Sequence, residues 1–70
     1  MKKAYAFIDG YVEEKEILNV IGWNCPARVD YMPDEYGTVT VVHPLTMDKM
    51  QELIEWGFNT GKSIKYEPIN

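Results

Sequence analysis

This chain has few of the residues on which catalytic and metal sites depend. It has one cysteine, Cys25, and one histidine, His43, among 70 residues. A single cysteine excludes an internal disulfide, and small secreted domains of this length usually depend on several. The cysteine content is therefore typical of a reducing compartment, and we expect a cytoplasmic protein.

The sequence also lacks long hydrophobic runs. The apolar stretch from Ala4 to Ile8 is too short for a signal sequence and is followed at once by Asp9 and Gly10. Nothing later approaches the ~20 apolar residues that a membrane-spanning helix needs. We expect no membrane partner.

Positive charge is scarce, with seven basic residues against eleven acidic ones and a net charge of −4. Proteins that bind a phosphate backbone carry a concentrated Lys/Arg patch, and no such cluster occurs here. We therefore expect no direct binding to nucleic acid. The acidic residues form short clusters, either as an ordinary solvated surface or as a negative patch that imitates a phosphate backbone.

Motifs for chemistry are missing as well. Cys25 and His43 lie far apart in the chain, and no third group is spaced to orient them as a nucleophile and its base. The acids Asp30, Asp34 and Glu35 lack the alternating spacing of a calcium loop, and zinc needs three or four ligands. The glycines stand singly, so there is no phosphate-binding loop. We expect neither enzyme activity nor a metal or cofactor.

What the sequence does contain is a clear succession of apolar periods. Alternating or β-branched residues predict four strands, over residues 3–8, 27–32, 38–43 and 63–67. Apolar residues three and four apart predict two helices. The first begins near Glu13 and ends at Gly22; the second is capped by Thr46 and ends within 59–61. A chain of 70 residues buries one thin core, so residues 1–70 are predicted to form a single domain.

The order β-α-β-β-α-β predicts an α+β fold of the ferredoxin-like type, a four-stranded antiparallel sheet with two helices packed on one face. In that topology the first and third strands are central and the second and fourth are edges. A competing interpretation takes Asp9-Gly10 as a hairpin turn and residues 11–13 as a return strand.

One face of such a sheet has no helix over it. The predicted helix-covered residues are Ala6, Ile8, Val29, Val39, Val41 and Ile64. Because His43 alternates in phase with Val39 and Val41, it is also predicted to face inward. The predicted open face carries Tyr5, Phe7, Met32, Thr40 and Val42, with a charged rim of Arg28, Asp30, Lys65 and Glu67. The alternative phase of the first strand puts Tyr5 and Phe7 in the core and the small alanines outside.

The preferred functional hypothesis is a small, acidic, non-catalytic protein-binding module. It docks on another protein through the open sheet face or the acidic hairpin, with inhibition of that partner as one mode of action. The predicted contact residues are Tyr5, Phe7, Met32, Asp34, Glu35, Tyr36 and Thr40.

Two alternatives belong to other functional classes. One is a homodimer that encloses a small-molecule binding or catalytic cavity between sheet faces, near Tyr5, Tyr31, His43 or Cys25. The other is an acidic nucleic-acid mimic that inhibits a DNA- or RNA-binding protein. Inhibitors encoded by phages and mobile elements are often of this size and charge. That is a general frequency among such proteins, and no residue of this sequence indicates it.

Overall fold

A computed structural model describes residues 2–69 of the chain. The order of its elements is β1 (Lys3–Asp9), α1 (Glu14–Ile21), β2 (Arg28–Asp34), β3 (Gly37–Thr46), α2 (Met47–Thr60) and β4 (Ile64–Ile69). The strands form one antiparallel sheet in the order β2-β3-β1-β4. The predicted α+β class is confirmed, with β1 and β3 in the centre of the sheet.

The helix ends follow the local signals in the sequence. The Thr46 side chain caps α2 by accepting a hydrogen bond from the Lys49 backbone N–H at 3.4 Å. Gly61 ends α2 in the left-handed conformation, at φ 73°, which favours glycine. α1 ends at Gly22, whose N–H donates to the Leu18 carbonyl. In the part of the chain described, no helix has both the length and the apolar content to cross a membrane.

The core lies between the two helices and one face of the sheet. Both helices and three strand residues of β1 belong to the same apolar cluster, so the helices cover the same side of the sheet. Its fully buried members include Ala4, Ala6, Ile8, Ile17, Ile21, Val42, Leu45, Met50 and Leu53. Because Ala4 and Ala6 alternate with Tyr5 and Phe7 along β1, these two aromatic rings lie on the open face.

The Asp9-Gly10 hairpin does not form. Residues 11–13 contain no strand, and the chain instead passes over the helix-covered side of the sheet on its way to α1. The Gly10 N–H donates to the Thr38 carbonyl at 2.9 Å, and Val12 is buried in the core. Tertiary burial of Val12 therefore prevails over the local turn preference of Asp-Gly.

The predicted phase of β3 is wrong. Val42 and Thr40 are fully buried on the helix-covered side, whereas Val39, Val41 and His43 lie on the open face. β-Branched residues occupy both faces of this strand, so its hydrophobic pattern does not reveal which face is inside.

A register shift extends the buried side of β3 toward α2. Ala6 pairs with Val42, but Ala4 pairs with Leu45, so one extra residue of β3 is accommodated between these pairs. Val42 and Leu45, three positions apart, thereby both face the core. A strict period of two would have turned one of them to solvent.

Candidate functional site

The β2–β3 hairpin sets the position of the open face. It closes through the two residues Glu35 and Tyr36, between the paired residues Asp34 and Gly37. The Asp34 Oδ1 atom accepts a hydrogen bond from the Tyr36 backbone N–H at 2.6 Å, which is the usual way an aspartate stabilises a turn. This closure pairs Met32 with Val39, and both therefore lie on the open face.

Two rows of side chains cross the open face. Residues directly opposite each other on neighbouring strands share a face of the sheet. The first row runs through Arg28, His43, Tyr5 and Glu67, with Tyr5 opposite the register shift. The second row runs through Asp30, Val41, Phe7 and Lys65. Each row has a central pair on β3 and β1 and a charged residue at either edge.

Aromatic contacts join the centres of these rows. The Tyr5 ring lies 5.0 Å from the His43 ring and 6.1 Å from the Phe7 ring, measured between centroids. Both Tyr5 and Phe7 are half-buried, although neither helix covers them, because they shield each other and Val41. Val41 itself is 5% exposed. The centre of the open face is thus a packed apolar surface.

His43 is held on this surface by Asp30. The His43 Nε2 atom lies 2.8 Å from the Asp30 Oδ2 atom. The bond crosses diagonally from one row to the other, since Asp30 is paired with Val41 and His43 with Arg28. The prediction that His43 faces inward is therefore wrong, and the ring stands beside Tyr5 on the open side.

A shallow concavity of about 420 Å³ occupies the middle of the open face. Its walls combine apolar and charged side chains: Tyr5, Phe7, Met32, Val41, Asp30, His43 and Glu67. The four charged residues of the predicted rim, Arg28, Asp30, Lys65 and Glu67, are all exposed on the two edge strands. An apolar centre with a polar rim is the usual anatomy of a protein-contact surface.

Of the predicted contact residues, Thr40 lies elsewhere. It is fully buried on the helix-covered side, where its hydroxyl donates to the Gly10 carbonyl at 2.7 Å and accepts from the Val12 N–H at 3.0 Å. The prediction that it lies on the open face is corrected, because the chain crossing from β1 to α1 needs this hydroxyl as a hydrogen-bonding partner.

The structure brings the other predicted contact residues into two neighbouring groups. Tyr5, Phe7 and Met32 line the central concavity. Asp34 and Tyr36 line a second one of about 320 Å³, which also includes Phe7 and so adjoins the first. Glu35 is exposed in the turn, and the Tyr36 side chain is 91% exposed.

The residues considered for a shared catalytic cavity do not converge. Tyr31 lies on the helix-covered side of β2, where its hydroxyl donates to the Val12 carbonyl at 2.8 Å and its ring stacks on Tyr11 at 4.8 Å. Cys25 lines a separate concavity of about 480 Å³. Only Tyr5 and His43 of that set are neighbours.

Ionisable groups elsewhere in the described chain give no metal centre. Within residues 2–69, no three His, Cys, Asp or Glu side chains converge in a way that could hold a metal ion. Burial raises the pKa of the Tyr31 phenol above its ordinary value of 10.0, and Tyr11, Glu14 and Glu13 raise it further. This phenol belongs to the opposite side of the sheet from the concavity.

The sequence interpretation missed Val39, Val41 and His43 as members of the open face. The hairpin itself carries the signal that would have found them. With Glu35 and Tyr36 as a two-residue turn, Met32 must pair with Val39, so the two residues share a face. Placing Met32 outside and Val39 inside was inconsistent with that turn.

Comparison with protein-family models, with curated protein sequences and with solved structures finds no match to this chain. The site is therefore defined by its own geometry, a packed aromatic and aliphatic centre between two charged edge strands.

Proposed function

We propose that this protein is a non-catalytic protein-binding module whose contact surface is the open face of the sheet. The observation that carries the proposal is the cluster of Tyr5, Phe7 and Val41 on a face that neither helix covers. Apolar groups gathered in a patch, and not scattered singly, characterise interaction surfaces.

Burial of that patch against a partner supplies the favourable free energy of association. Covering apolar surface contributes about 25 cal/mol for each Å² removed from water. Aromatic side chains such as Tyr5 and Phe7 lose few rotamers on binding and tend to contribute more than their share of the interface energy. A partner that covers the concavity therefore gains most from these two rings.

The charges around the patch favour a protein over a nucleic acid as the occupant. The rim holds two basic residues, Arg28 and Lys65, and two acidic ones, Asp30 and Glu67. A phosphate backbone laid across it would meet both carboxylates, and the chain as a whole is acidic. A mixed rim matches the mixed surface of another protein.

The hairpin tip extends this surface. Asp34, Glu35 and Tyr36 project beside the concavity, and Tyr36 is the most exposed of the large apolar side chains there. We assign to Tyr36 the role of a peripheral contact, which adds specificity while the central rings supply most of the affinity.

We interpret the arrangement as ferredoxin-like, because the element order and the strand order β2-β3-β1-β4 are those expected of a split βαβ unit. That fold supports many unrelated functions, so the proposal depends on the open face and not on the fold.

A homodimer that encloses a small molecule is the second candidate function. It is favoured by the concavity of about 420 Å³ in which His43, Asp30 and Tyr5 meet. A His–carboxylate pair beside a phenol could exchange a proton with a ligand enclosed there. The concavity is open to solvent on a single chain, so this function requires a second copy to close it.

Site-specific photo-crosslinking in cells that express the protein tests the main proposal. A benzophenone amino acid replacing Phe7 is expected to form an adduct with a protein, because this position lies in the contact surface. The same amino acid replacing Phe58, an 85% exposed ring on α2, is the matched control and is expected to form little adduct. Equal adduct formation from both positions, or none from Phe7, would contradict the proposal.

A further inference from the structure

We propose that the open face binds a second copy of this chain, through a two-fold axis that lies parallel to the central strands. This inference rests on the proposed function, since it names the partner of the same surface. It is carried by the order of charges across the two rows of side chains on the open face.

Each row ends in residues of opposite charge. Arg28 on β2 and Glu67 on β4 terminate the first row, and Asp30 on β2 and Lys65 on β4 terminate the second. The sign of the charge therefore alternates along each edge strand. Within each row, the charge at the β2 edge is opposite to the charge at the β4 edge. All four residues are exposed.

Consider a two-fold axis that lies in the plane of contact between the two sheets, parallel to the strands and midway between β1 and β3. Rotation about this axis lays the β2 edge of one copy over the β4 edge of the other. Arg28 then faces Glu67 of the second copy, and Asp30 faces Lys65 of the second copy. Because the contact is isologous, each pair occurs twice, so all eight charged residues of the two rims meet an opposite charge.

The centres of the rows match in the same arrangement. Val41 on β3 faces Phe7 of the second copy, and His43 faces Tyr5 of the second copy, because the axis exchanges β3 with β1. These are aromatic and aliphatic surfaces that pack well face to face. Sheets packed in this way cross at about 30°, an offset that the long Arg, Lys and Glu side chains at the edges can span.

Some other arrangements satisfy the charges less well. A two-fold axis in the plane of the contact but perpendicular to the strands, centred on the second row, places Asp30 over Asp30 and Lys65 over Lys65. Like charges in direct opposition are unfavourable. A partner of uniform charge would likewise place a like charge opposite two of the four rim residues. Charge complementarity thus favours a second copy. A perpendicular axis midway between the two rows would also oppose unlike charges, Arg28 over Asp30 and Lys65 over Glu67 of the second copy. The mixing experiment below separates it from the parallel axis, because in that arrangement the like-charge contacts made by Arg28→Glu and Glu67→Arg remain after mixing.

The size of the face indicates a moderate affinity. Four strands about 4.8 Å apart and six residues about 3.3 Å apart give a contact of roughly 20 Å by 20 Å. Such a contact is at the small end of specific protein interfaces. The dimer is therefore expected to form in the micromolar range and to dissociate on dilution.

Charge reversal in two separate variants tests the pairing. Arg28→Glu and Glu67→Arg each place two like-charge pairs in the homodimer, and each is expected to weaken self-association roughly tenfold. In a mixture of the two variants, the heterodimer pairs the introduced glutamate of one chain with the introduced arginine of the other, and it keeps one native pair of Arg28 with Glu67. Mixing is therefore expected to restore a species of about twice the 8.1 kDa chain mass, measured by light scattering after gel filtration.

A matched pair of variants provides the control. Lys49→Glu and Glu52→Lys reverse an exposed ion pair on α2, at 3.4 Å, that lies outside the open face. Their homodimers are expected to keep the wild-type affinity. The double variant R28E/E67R, which restores both pairs within each homodimer, is also expected to dimerise like the wild type. Circular dichroism confirms that the variants remain folded.

Three outcomes would overturn the inference: a wild-type chain that stays monomeric at every attainable concentration, single variants that dimerise normally, or a mixture that does not regain mass. The crosslinking experiment separates this failure from failure of the proposed function. An adduct from position 7 with a different protein, and none with the chain itself, supports the binding module and refutes the second copy.

Discussion

The hydroxyl of Thr40 connects the centre of the sheet to Val12, accepting the Val12 N–H at 3.0 Å while donating to the Gly10 carbonyl at 2.7 Å. This side chain therefore supplies partners to two backbone groups on the helix-covered side. A residue that the sequence pattern assigns to the surface instead anchors the irregular segment between β1 and α1.

Thr40→Val should be strongly destabilising. It keeps the shape of the side chain but leaves the Val12 N–H and the Gly10 carbonyl without this partner, at a cost of about 2–4 kcal/mol in the free energy of unfolding. Thr40→Ser keeps the hydroxyl and is expected to cost only about 1 kcal/mol for the lost methyl group. Urea denaturation of both variants measures the difference. Equal losses would show that the two hydrogen bonds contribute little.

The phase of β1 predicts opposite responses at adjacent positions. Ala6 is fully buried beneath the helices, so Ala6→Leu should destabilise the fold by about 1–3 kcal/mol through overpacking. Phe7 lies on the open face, so Phe7→Ser should leave the chain folded and instead reduce association through that face. Thermal unfolding and gel filtration of both variants distinguish the two effects. An unfolded Phe7→Ser variant would support the alternative phase.

Gly57 permits the close approach of α2 and β4. A Cβ atom at this buried position would clash with Ile64 Cδ1, its nearest neighbour, and would lie 2.9 Å from Ile64 Cγ1 and 3.2 Å from the Lys62 carbonyl oxygen. Gly57→Ala is therefore expected to destabilise the protein by about 1–2 kcal/mol, even though alanine is the better helix former.

A double-mutant cycle with Ile64→Ala, measured by urea denaturation, identifies the cause of that loss. Removing the Ile64 side chain should reduce the cost of Gly57→Ala, because the clash with Cδ1 and Cγ1 disappears. An unchanged cost in the Ile64→Ala background would assign the effect to the backbone contact with Lys62.

Tyr31 should make the fold sensitive to alkaline pH. Burial, Tyr11 and the charges of Glu14 and Glu13 raise its pKa above 10.0, so the folded state favours the neutral phenol. The stability that this phenol contributes is complete below pH 10.0 and is lost as the pH rises through the higher folded-state pKa.

Tyr31→Phe tests this relation. The wild type should lose stability more steeply than the variant above pH 10.0, in urea denaturation measured at successive pH values. At neutral pH the variant should be about 1 kcal/mol less stable, because the bond to the Val12 carbonyl is lost. Tyr36→Phe keeps Tyr31 and should follow the wild-type curve. Parallel wild-type and Tyr31→Phe curves would contradict the assignment.

The candidate site was predictable from the sequence in its aromatic part. Alternation in β1 places Tyr5 and Phe7 together, and the edge-strand charges Arg28, Asp30, Lys65 and Glu67 follow from the same period. The part contributed by β3 was not predictable from alternation, because Thr38, Val39, Thr40, Val41 and Val42 are β-branched on both faces.

The sequence by itself determined the order of the elements and the ends of the helices, since these depend on local periodicity, on the Thr46 cap and on glycines such as Gly61. It did not determine the ends of the strands, because pairing with β1 carries β3 past its predicted end at residue 43 to Thr46 and β4 past residue 67 to Ile69. Only the tertiary structure decided which side of β3 is buried. That choice depends on pairing with Met32 across the hairpin, on the register shift opposite Ala4 and Ala6, and on the hydrogen bonds of Thr40 to Val12 and Gly10, which lie 28 and 30 residues away. These are non-local contacts, and a period of two has no preference between the two faces until they form.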